Sequence, residues 1–243
     1  DNLSGNILVT ISADADLSNK SEIPAAVTNI VFWGEGATQP KLTIKGMSVL
    51  GALTKLEFYN LNITAPNGYI VNQNAVDGSF ADIIISSCTL KTLRGVVRYQ
   101  LAAADKSLHL EIADCIIDDL TGNSHYGVLQ TEKVAISSIA VEMTNTTIAN
   151  TGEKAATIFR TNTKQGNVSL VEKNCTFYNL FSGEALMRDI IGSTNSFTAE
   201  NILFAGSGSV KIFNKTSDAP GIINGSKIYS SSDLTVANAG EVS

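Results

Sequence analysis

The chain repeats one short pattern at a spacing near 27 residues, and this repeat limits the folds that it can adopt. Each unit has an apolar alternation, two polar residues and a second apolar alternation. Seven segments carry the pattern, and they cover residues 56–63, 83–90, 110–117, 141–148, 170–177, 197–204 and 222–228. Their last apolar residues are separated by 27, 27, 31, 29, 27 and 24 residues. A unit this short and this rich in strand-forming residues predicts a β-solenoid and not a helical repeat.

The second polar residue of each unit marks a turn between two short strands. Alternation with period two places one side of each strand in the core, and the polar pair interrupts that phase. The turn residues are Asn60, Ser87, Asp114, Asn145, Asn174, Asn201 and Gly225. Asn, Asp and Gly tolerate the left-handed backbone conformation, and stacked amides can bond one another. The column therefore predicts a ladder of side-chain hydrogen bonds along the solenoid.

All three cysteines of the chain fall in the column that follows the turn. The members of this column are Leu61, Cys88, Cys115, Thr146, Cys175, Ile202 and Ser226. The shared register predicts small, buried core residues. Side chains stacked about 4.8 Å apart in parallel do not offer the converging geometry that a disulfide needs. We therefore expect three free, reduced thiols.

A third apolar segment follows each unit after a loop, so each coil has three short strands. These segments cover residues 69–72, 96–98, 128–130, 158–160, 186–188 and 212–214. Together they predict an all-β fold, a three-sided, right-handed parallel β-helix of about seven to nine coils. No linker divides the chain, so we expect one domain over residues 1–243. Within it, residues 1–50 form N-terminal coils or a cap, 51–230 regular coils, and 231–243 a C-terminal tail or cap.

Composition argues against several classes of function. The net charge is −6 with no basic stripe, which disfavours nucleic-acid binding. No apolar run approaches the roughly 20 residues of a membrane-spanning helix. Charged residues make up only 16% of the chain, and Ser, Thr and Asn take their place, as in many exported β-proteins. Two of the eight Asn-x-Ser/Thr sequons, at Asn145 and Asn174, fall in the turn column, which favours a bacterial source because a glycan would disrupt the stacking.

The strand–Asn turn–strand unit, as in residues 56–63 and 170–177, resembles that of the pectate-lyase-like, single-stranded right-handed β-helix superfamily. The opening, residues 7–11 and 34–44, is similar to the first coils of uncharacterised surface proteins of gut Gram-negative bacteria. The resemblance implies an extracellular or outer-membrane-surface protein in a glycan-degrading system, with a lipid anchor that would precede Asp1. It also implies a polysaccharide or oligosaccharide partner. The superfamily holds lyases, hydrolases, esterases and binding modules, so the fold alone does not select among them.

A polar column ends the third strands and contains the candidate carbohydrate-binding residues. Its members are Asn72, Arg98, Gln130, Arg160, Arg188 and Asn214. Arginine grips carboxylates bidentately, so three guanidiniums on one wall suit an acidic glycan. Tyr99 and Tyr126 are further candidates, because tyrosine rings stack on sugars. Alternatively, the column caps turns by bonding loop carbonyls or carboxylates such as Asp189. Two apolar residues precede each polar one, so alternation does not decide which way the column faces.

Catalytic candidates are Arg160, Arg188, Asp118, Asp119 and His125. The aspartate pair can hold calcium, act in acid–base hydrolysis or simply form a loop turn. His125 lies in the longest insertion, where it can act as a general base or be merely exposed.

Glutamates on the first strand of the unit are the remaining candidates for metal binding. Glu57, Glu111 and Glu142 share an outward position, which is consistent with a calcium site or with a solvated face. Calcium-dependent lyases of the superfamily use a compact cluster of Asp ligands, which the spacing does not show here. We expect no cofactor, with calcium as the exception if the protein is a lyase.

Three functions are consistent with these features. The first is an exported bacterial surface β-helix, monomeric, that binds or helps to process a complex glycan. The second is a polysaccharide lyase or hydrolase that acts on an acidic, uronate-containing glycan. The third is a structural stalk or adhesin module without a small ligand. The sequence leaves open whether the protein is an enzyme.

Overall fold

The structure is a computed structural model that describes the chain except residues 1–2, 20–21, 102–105, 122–125, 153, 155, 182–184, 190, 207–209, 216–220, 232–233, 236–238 and 243. For residues 185, 214–215, 221–223, 234–235 and 239–242 it describes the backbone alone. Every regular element within the described ranges is a β-strand. Within the described ranges there is no helical segment that could span a membrane.

The strands of the N-terminal half are β1 Gly5–Ile11, β2 Ala15–Asp16, β3 Glu22–Ile23, β4 Val27–Gly34, β5 Lys41–Thr43, β6 Ser48–Val49, β7 Ala52–Tyr59, β8 Asn62–Gln73, β9 Ser79–Ser86, β10 Thr89–Tyr99, β11 Ser107–Ala113 and β12 Ile116–Leu120. The strands of the C-terminal half are β13 Gly127–Thr131, β14 Ser138–Thr144, β15 Thr147–Ala149, β16 Thr157–Thr161, β17 Gln165–Lys173, β18 Thr176–Tyr178, β19 Ala185–Asp189, β20 Gly192–Ala205, β21 Val210–Lys215, β22 Gly221–Ser230, β23 Leu234–Thr235 and β24 Ala239–Val242.

The strands stack in three faces, and every pairing is parallel. The first face consists of β1, β4, β7, β9, β11, β14, β17, β20, β22 and β24. The second face, which follows the turn column, consists of β2, β5, the first part of β8 and of β10, β12, β15, β18 and the last part of β20 and of β22. The third face consists of β3, β6, the last part of β8 and of β10, β13, β16, β19, β21 and β23.

This arrangement confirms the predicted fold, a right-handed parallel β-helix. Apolar side chains of the three faces fill its interior, and residues in the same column stack on one another from coil to coil. Phe32 and Phe58 stack with ring centroids 5.1 Å apart, and Phe177 and Phe204 do so at 5.5 Å. The interior is therefore a continuous apolar column that one coil could not build alone.

The turn column adopts the left-handed conformation that its residue types predict. The φ angles are 54° at Asn60, 53° at Ser87, 55° at Asp114, 50° at Asn145, 53° at Asn174 and 57° at Asn201. The amide Nδ2 of Asn145 donates to Oδ1 of Asp114 at 3.0 Å, and the amides of Asn174 and Asn201 each donate to the preceding Asn at 2.9 Å. The predicted ladder thus spans four successive coils. Asn60 lies outside it and donates to the carbonyls of Gly34 and Gly36 instead.

The last repeat is offset by two residues from its predicted alignment. In the backbone register, Glu200 pairs with Ser226 and Ile202 pairs with Ile228, so Lys227 lies opposite the last ladder residue. Lys227 itself has a φ of 54°. The predicted placement of Gly225 in the turn column and of Ser226 in the cysteine column was therefore wrong. Lysine rarely takes the left-handed conformation, so residue type alone favoured the nearby glycine.

The three cysteines are buried and free, as predicted. Each thiol donates to the carbonyl two residues earlier, at 3.2 Å for Cys88, 3.1 Å for Cys115 and 3.3 Å for Cys175. The hydroxyl of Thr146 makes the same bond at 3.0 Å, which explains why threonine can occupy the column. Burial raises the pKa of Cys88 and Cys175 to about 12 and that of Cys115 to about 11.

Candidate functional site

The polar column at the ends of the third strands is in backbone register on the third face. Arg98 pairs with Asn72 and Gln130, and Arg160 pairs with Gln130 and Arg188. The preceding residues in these strands, Val97, Leu129, Phe159 and Met187, are fully buried, whereas the three arginines are partly exposed. The column therefore faces outward, which alternation did not decide. The side chain of Asn214 lies outside the described residues.

Carboxylates compensate the charge of these arginines. Nη2 of Arg98 lies 2.7 Å from Oε2 of Glu132, whose other oxygen accepts from Gln130 at 2.5 Å. Nε of Arg160 and Nε of Arg188 donate to the two oxygens of Asp189, at 2.5 and 3.1 Å.

The ion pairs shift the pKa values of Asp189 and Arg160 in opposite directions. Burial raises the pKa of Asp189, but the hydrogen bonds and charges of Arg160 and Arg188 outweigh it and leave that pKa below its ordinary value. Burial lowers the pKa of Arg160, but Asp189 raises it on balance. Both groups are therefore charged at neutral pH and hold each other in place.

Tyr126 is the centre of a cluster of aromatic rings and guanidiniums on the same face. The guanidinium carbon of Arg94 lies 4.1 Å from its ring centroid, that of Arg160 5.2 Å and that of Arg98 5.8 Å. Arg98 also lies 5.6 Å from the ring of Tyr69. Such cation–π contacts are each worth about 0.5–2 kcal/mol, depending on desolvation. We name these five residues the tyrosine–arginine cluster.

Two glycines allow neighbouring coils to approach closely beside this cluster. Tyr69 pairs with Gly95 in the backbone register, and a Cβ at Gly95 would lie only 2.5 Å from the Tyr69 ring. A Cβ at Gly127, which follows Tyr126 in sequence, would overlap the backbone carbonyl of Thr157. The ring of Tyr69 is consequently buried against the face, and this burial raises the pKa of its hydroxyl to about 12.

A cleft of about 540 Å³ adjoins the cluster at the corner between the second and third faces. Its lining residues, Asn67, Arg94, Thr121 and Lys154, come from four successive coils. Nζ of Lys154 lies 3.8 Å from Oδ1 of Asp119. Arg94 has no carboxylate partner among the described residues, and its buried Nε has no hydrogen-bond partner there. We refer to the cleft and the tyrosine–arginine cluster together as the third-face groove.

Some of the predicted carbohydrate-binding residues lie at the third-face groove, and others are buried. Arg98, Arg160, Arg188 and Tyr126 meet in or beside the groove. Gln130 is in the same column but is 2% exposed. Tyr99 is also 2% exposed, and its hydroxyl both accepts from and donates to the backbone of Phe80. Tyr99 is thus a core residue, with no surface available to a ligand in this structure.

The predicted catalytic residues do not form one cluster. Asp118 is exposed on the second face, 4.0 Å from Lys91. Asp119 reaches the cleft only through its ion pair with Lys154. His125 lies outside the described residues, so its relation to Arg160 and Arg188 is not defined.

The glutamates considered for calcium lie on the first face. Glu111 and Glu142 are in register in adjacent coils, as the repeat predicted. Glu142 lies 3.9 Å from Nε2 of His109, and Asp82 lies 3.4 Å from Nδ1 of the same ring. Within the described part of the chain, no three or more His, Cys, Asp or Glu side chains come together as a metal site would require.

Sequence reasoning missed Arg94, Asn67, Thr121 and Lys154, the residues that line the cleft. They lie at the corner between the second and third faces, where the number of residues differs from coil to coil, so no periodic column marks them. Arg94 had one local signal, the glycine that follows it in β10, because Gly in a strand often marks the close approach of another group.

Comparison of the chain with protein-family models, with curated proteins and with solved structures finds no match. The class that the fold and the site define is a parallel β-helix with a polar, arginine-rich groove on one face.

Proposed function

We propose that this β-helix binds a complex glycan in the third-face groove. The observation that carries the proposal is the cleft beside the tyrosine–arginine cluster, where four polar side chains line one concave surface and one of them, Arg94, packs against the ring of Tyr126. Ligand sites are typically concave, with a few polar groups that fix orientation. Asn, Thr, Lys and Arg side chains supply the hydrogen-bonding groups that sugar hydroxyls require.

The shape of the cleft supports an extended ligand. Its lining residues come from four successive coils, and each coil advances the axis by about 4.8 Å, so the cleft runs for roughly 14 Å along the solenoid. A chain of several sugar residues can follow such a path and contact one side chain of each coil.

The proposal includes export to a bacterial surface. Its support is the Ser-, Thr- and Asn-rich composition together with the ladder. The amides of Asn145 and Asn174 both donate and accept within the ladder, so attachment of a glycan to either sequon would remove these bonds. A chain that carries sequons at such positions is better suited to a cell without this modification.

A glycan array followed by calorimetry tests the proposal. We expect the wild-type protein to retain at least one oligosaccharide, and Thr121→Trp to lose it because the indole fills the cleft. Thr198→Trp is the matched control, since it adds the same bulk to the outer side of the first face. Thermal unfolding of both variants verifies that they fold.

The alternative functions give different outcomes in the same experiment. Retention of no glycan by the wild type would overturn the proposal and favour a structural stalk or adhesin module. Release of unsaturated or reducing ends from a retained glycan would identify a lyase or a hydrolase. Equal loss of binding in Thr121→Trp and Thr198→Trp would show that the ligand does not occupy the groove.

A further inference from the structure

We infer that Arg94 binds an anionic group, a carboxylate or a sulfate ester, of the ligand in the cleft. This inference rests on the proposed glycan binding and adds to it the class of glycan, an acidic one. It also moves the centre of recognition away from the arginines of the polar column, which sequence analysis favoured.

The arginines of the column already have anionic partners. Arg98 is paired with Glu132, and Arg160 and Arg188 share Asp189. A ligand carboxylate would have to displace these carboxylates or share their donors, which weakens its binding. Three paired guanidiniums therefore make a structural network more readily than a site for an exogenous anion.

Arg94 differs from them in its partners. Its described contact is with the ring of Tyr126, at 4.1 Å from the guanidinium carbon, and no carboxylate of the described residues pairs with it. A cation–π contact holds the guanidinium without using its N–H groups as hydrogen-bond donors. Tyr126 is thus a positioning residue, because it fixes the guanidinium of Arg94 beside the cleft and leaves its fork available.

The buried Nε of Arg94 is a second, independent observation. Buried polar atoms are nearly always hydrogen-bonded, and a donor without a partner is costly. An anion that binds the guanidinium in the cleft would supply the acceptor that Nε lacks once the side chain turns Nε toward it, and Arg fits carboxylates and sulfates with two parallel hydrogen bonds.

The rest of the cleft favours the same charge on the ligand. Lys154 adds a second cation, which Asp119 at 3.8 Å compensates in part, while Asn67 and Thr121 are neutral. Among the described residues, two cations and one carboxylate leave the cleft with a net positive charge, although the whole chain carries −6. The charge that the described residues bring to the cleft is thus opposite in sign to the net charge of the chain.

The test uses two pairs of ligands that differ only in charge. Oligogalacturonate and its methyl ester have the same sugar chain with and without carboxylates, and a sulfated galactan oligosaccharide and its desulfated parent do the same for sulfate. Calorimetry at low and at physiological salt measures each affinity. We expect the wild type to prefer the charged member of at least one pair and to bind it more weakly as salt increases.

Variants of Arg94 then test whether this residue causes the preference for the charged ligand. Arg94→Gln should weaken binding of the charged ligand at least about tenfold and leave binding of the neutral partner unchanged. The affinity of Arg94→Lys for the charged ligand should lie between those of the wild type and Arg94→Gln, since lysine keeps the charge and loses the paired N–H donors of the guanidinium. Lys173→Gln, which removes the same charge from the exposed side of the first face, is the matched control and should bind as the wild type does.

The position of Tyr126 is tested in the same way. Tyr126→Phe should retain most of the affinity for the charged ligand, because the ring still supports Arg94. Tyr126→Leu should lose affinity for the charged ligand and not for the neutral one. A merely structural tyrosine would affect both ligands alike.

The outcomes separate the inference from the proposed function. If the wild type binds the neutral and charged members equally, or if Arg94→Gln binds both as the wild type does, the anion site is wrong while glycan binding stands. If none of these ligands and no glycan on the array binds, the proposed function fails and the inference fails with it.

Discussion

Glu172 lies in register with Met143 of the preceding coil, in a column that is otherwise apolar. The column continues to Ala199 in the next coil, and all three side chains are buried. Glu172 is 0% exposed, and neither of its carboxyl oxygens has a hydrogen-bond partner among the described residues. Burial raises its pKa from 4.5 to about 8, and its charge in turn contributes to the raised pKa of nearby Cys175.

This glutamate should make the protein less stable as pH rises. The folded state holds its proton up to about pH 8, whereas the unfolded state releases it near 4.5. The contribution of Glu172 is therefore fully present below about pH 4.5 and is lost as pH rises through about 8, with a total on the order of 5 kcal/mol. Urea unfolding at about pH 5, 7 and 9 measures the trend.

Two substitutions isolate the effect. The free energy of unfolding of Glu172→Gln should be nearly independent of pH in this range. The Glu172→Met variant should show the same independence and should also be more stable than the wild type at about pH 9, because methionine removes an unsatisfied buried polar group. Glu200→Gln, on the exposed side of the first face, should retain the wild-type pH dependence. If the urea midpoint of the wild type does not decrease as pH rises from about 5 to about 9, the assignment of Glu172 as a buried, protonatable group is contradicted.

Asn174→Ala should destabilise the protein by about 2–3 kcal/mol, since alanine loses two side-chain hydrogen bonds and is strained at positive φ. Asn174 donates to Asn145 and accepts from Asn201, with a φ of 53°. Asn174→Gly should cost less, because glycine keeps the backbone conformation and loses only the bonds. Asn167→Ala, at an exposed sequon outside the ladder, should change the free energy of unfolding by less than about 0.5 kcal/mol. Equal melting temperatures for the alanine variants at positions 174 and 167 would rule out the ladder as a stabilising element.

Gly127→Ala should destabilise the protein by at least about 3 kcal/mol, because the new methyl group would overlap the carbonyl of Thr157 in the next coil. Backbone atoms of neighbouring coils cannot separate without breaking the parallel ladder. Gly152→Ala is the control, since nothing lies within 4 Å of its added Cβ. Thermal unfolding of the two variants gives the comparison, and a Gly127→Ala protein as stable as the wild type would mean that β13 and β16 pack less closely than the structure has them.

Thiol titration should detect almost no reactive cysteine in the native protein and three after denaturation. The thiols are buried, and their pKa values of about 12, 11 and 12 keep the reactive thiolate scarce at neutral pH. Fewer than three thiols after unfolding would reveal a disulfide, and rapid labelling of the native protein would show that the column is not in the core.

The repeat predicted the fold because the same physical demand recurs in every coil. Asn60, Asn145 and Asn174 occupy equivalent turns, and each needs a residue that tolerates positive φ. The repeat does not predict the coil that departs from this pattern, where Lys227 holds the left-handed turn of the last repeat. The repeat also does not single out Glu172, because the spacing of its unit is regular although one apolar position carries a carboxyl group.

The groove was predictable only in part. The register of Arg98, Arg160 and Arg188 follows from their spacing. Their outward orientation and their carboxylate partners do not, because both depend on how the two apolar residues before each arginine pack into the core. Arg94 and Lys154 come together because corners of different length fold back to one place. Their proximity does not follow from any period of the sequence, so the spacing of residues does not predict it.

The ladder has a further consequence for how this chain tolerates changes in length. Successive ladder residues are separated by 31, 29 and 27 positions in sequence, yet their hydrogen bonds measure 3.0, 2.9 and 2.9 Å. The hydrogen bonds of the ladder therefore depend on the rise between coils along the axis and not on the number of residues in each coil. Extra residues in a coil must bulge sideways from the axis, where they alter the outer surface and leave the spacing of the coils unchanged. The scaffold thereby separates the part of the sequence that can vary in length from the part that sets its dimensions.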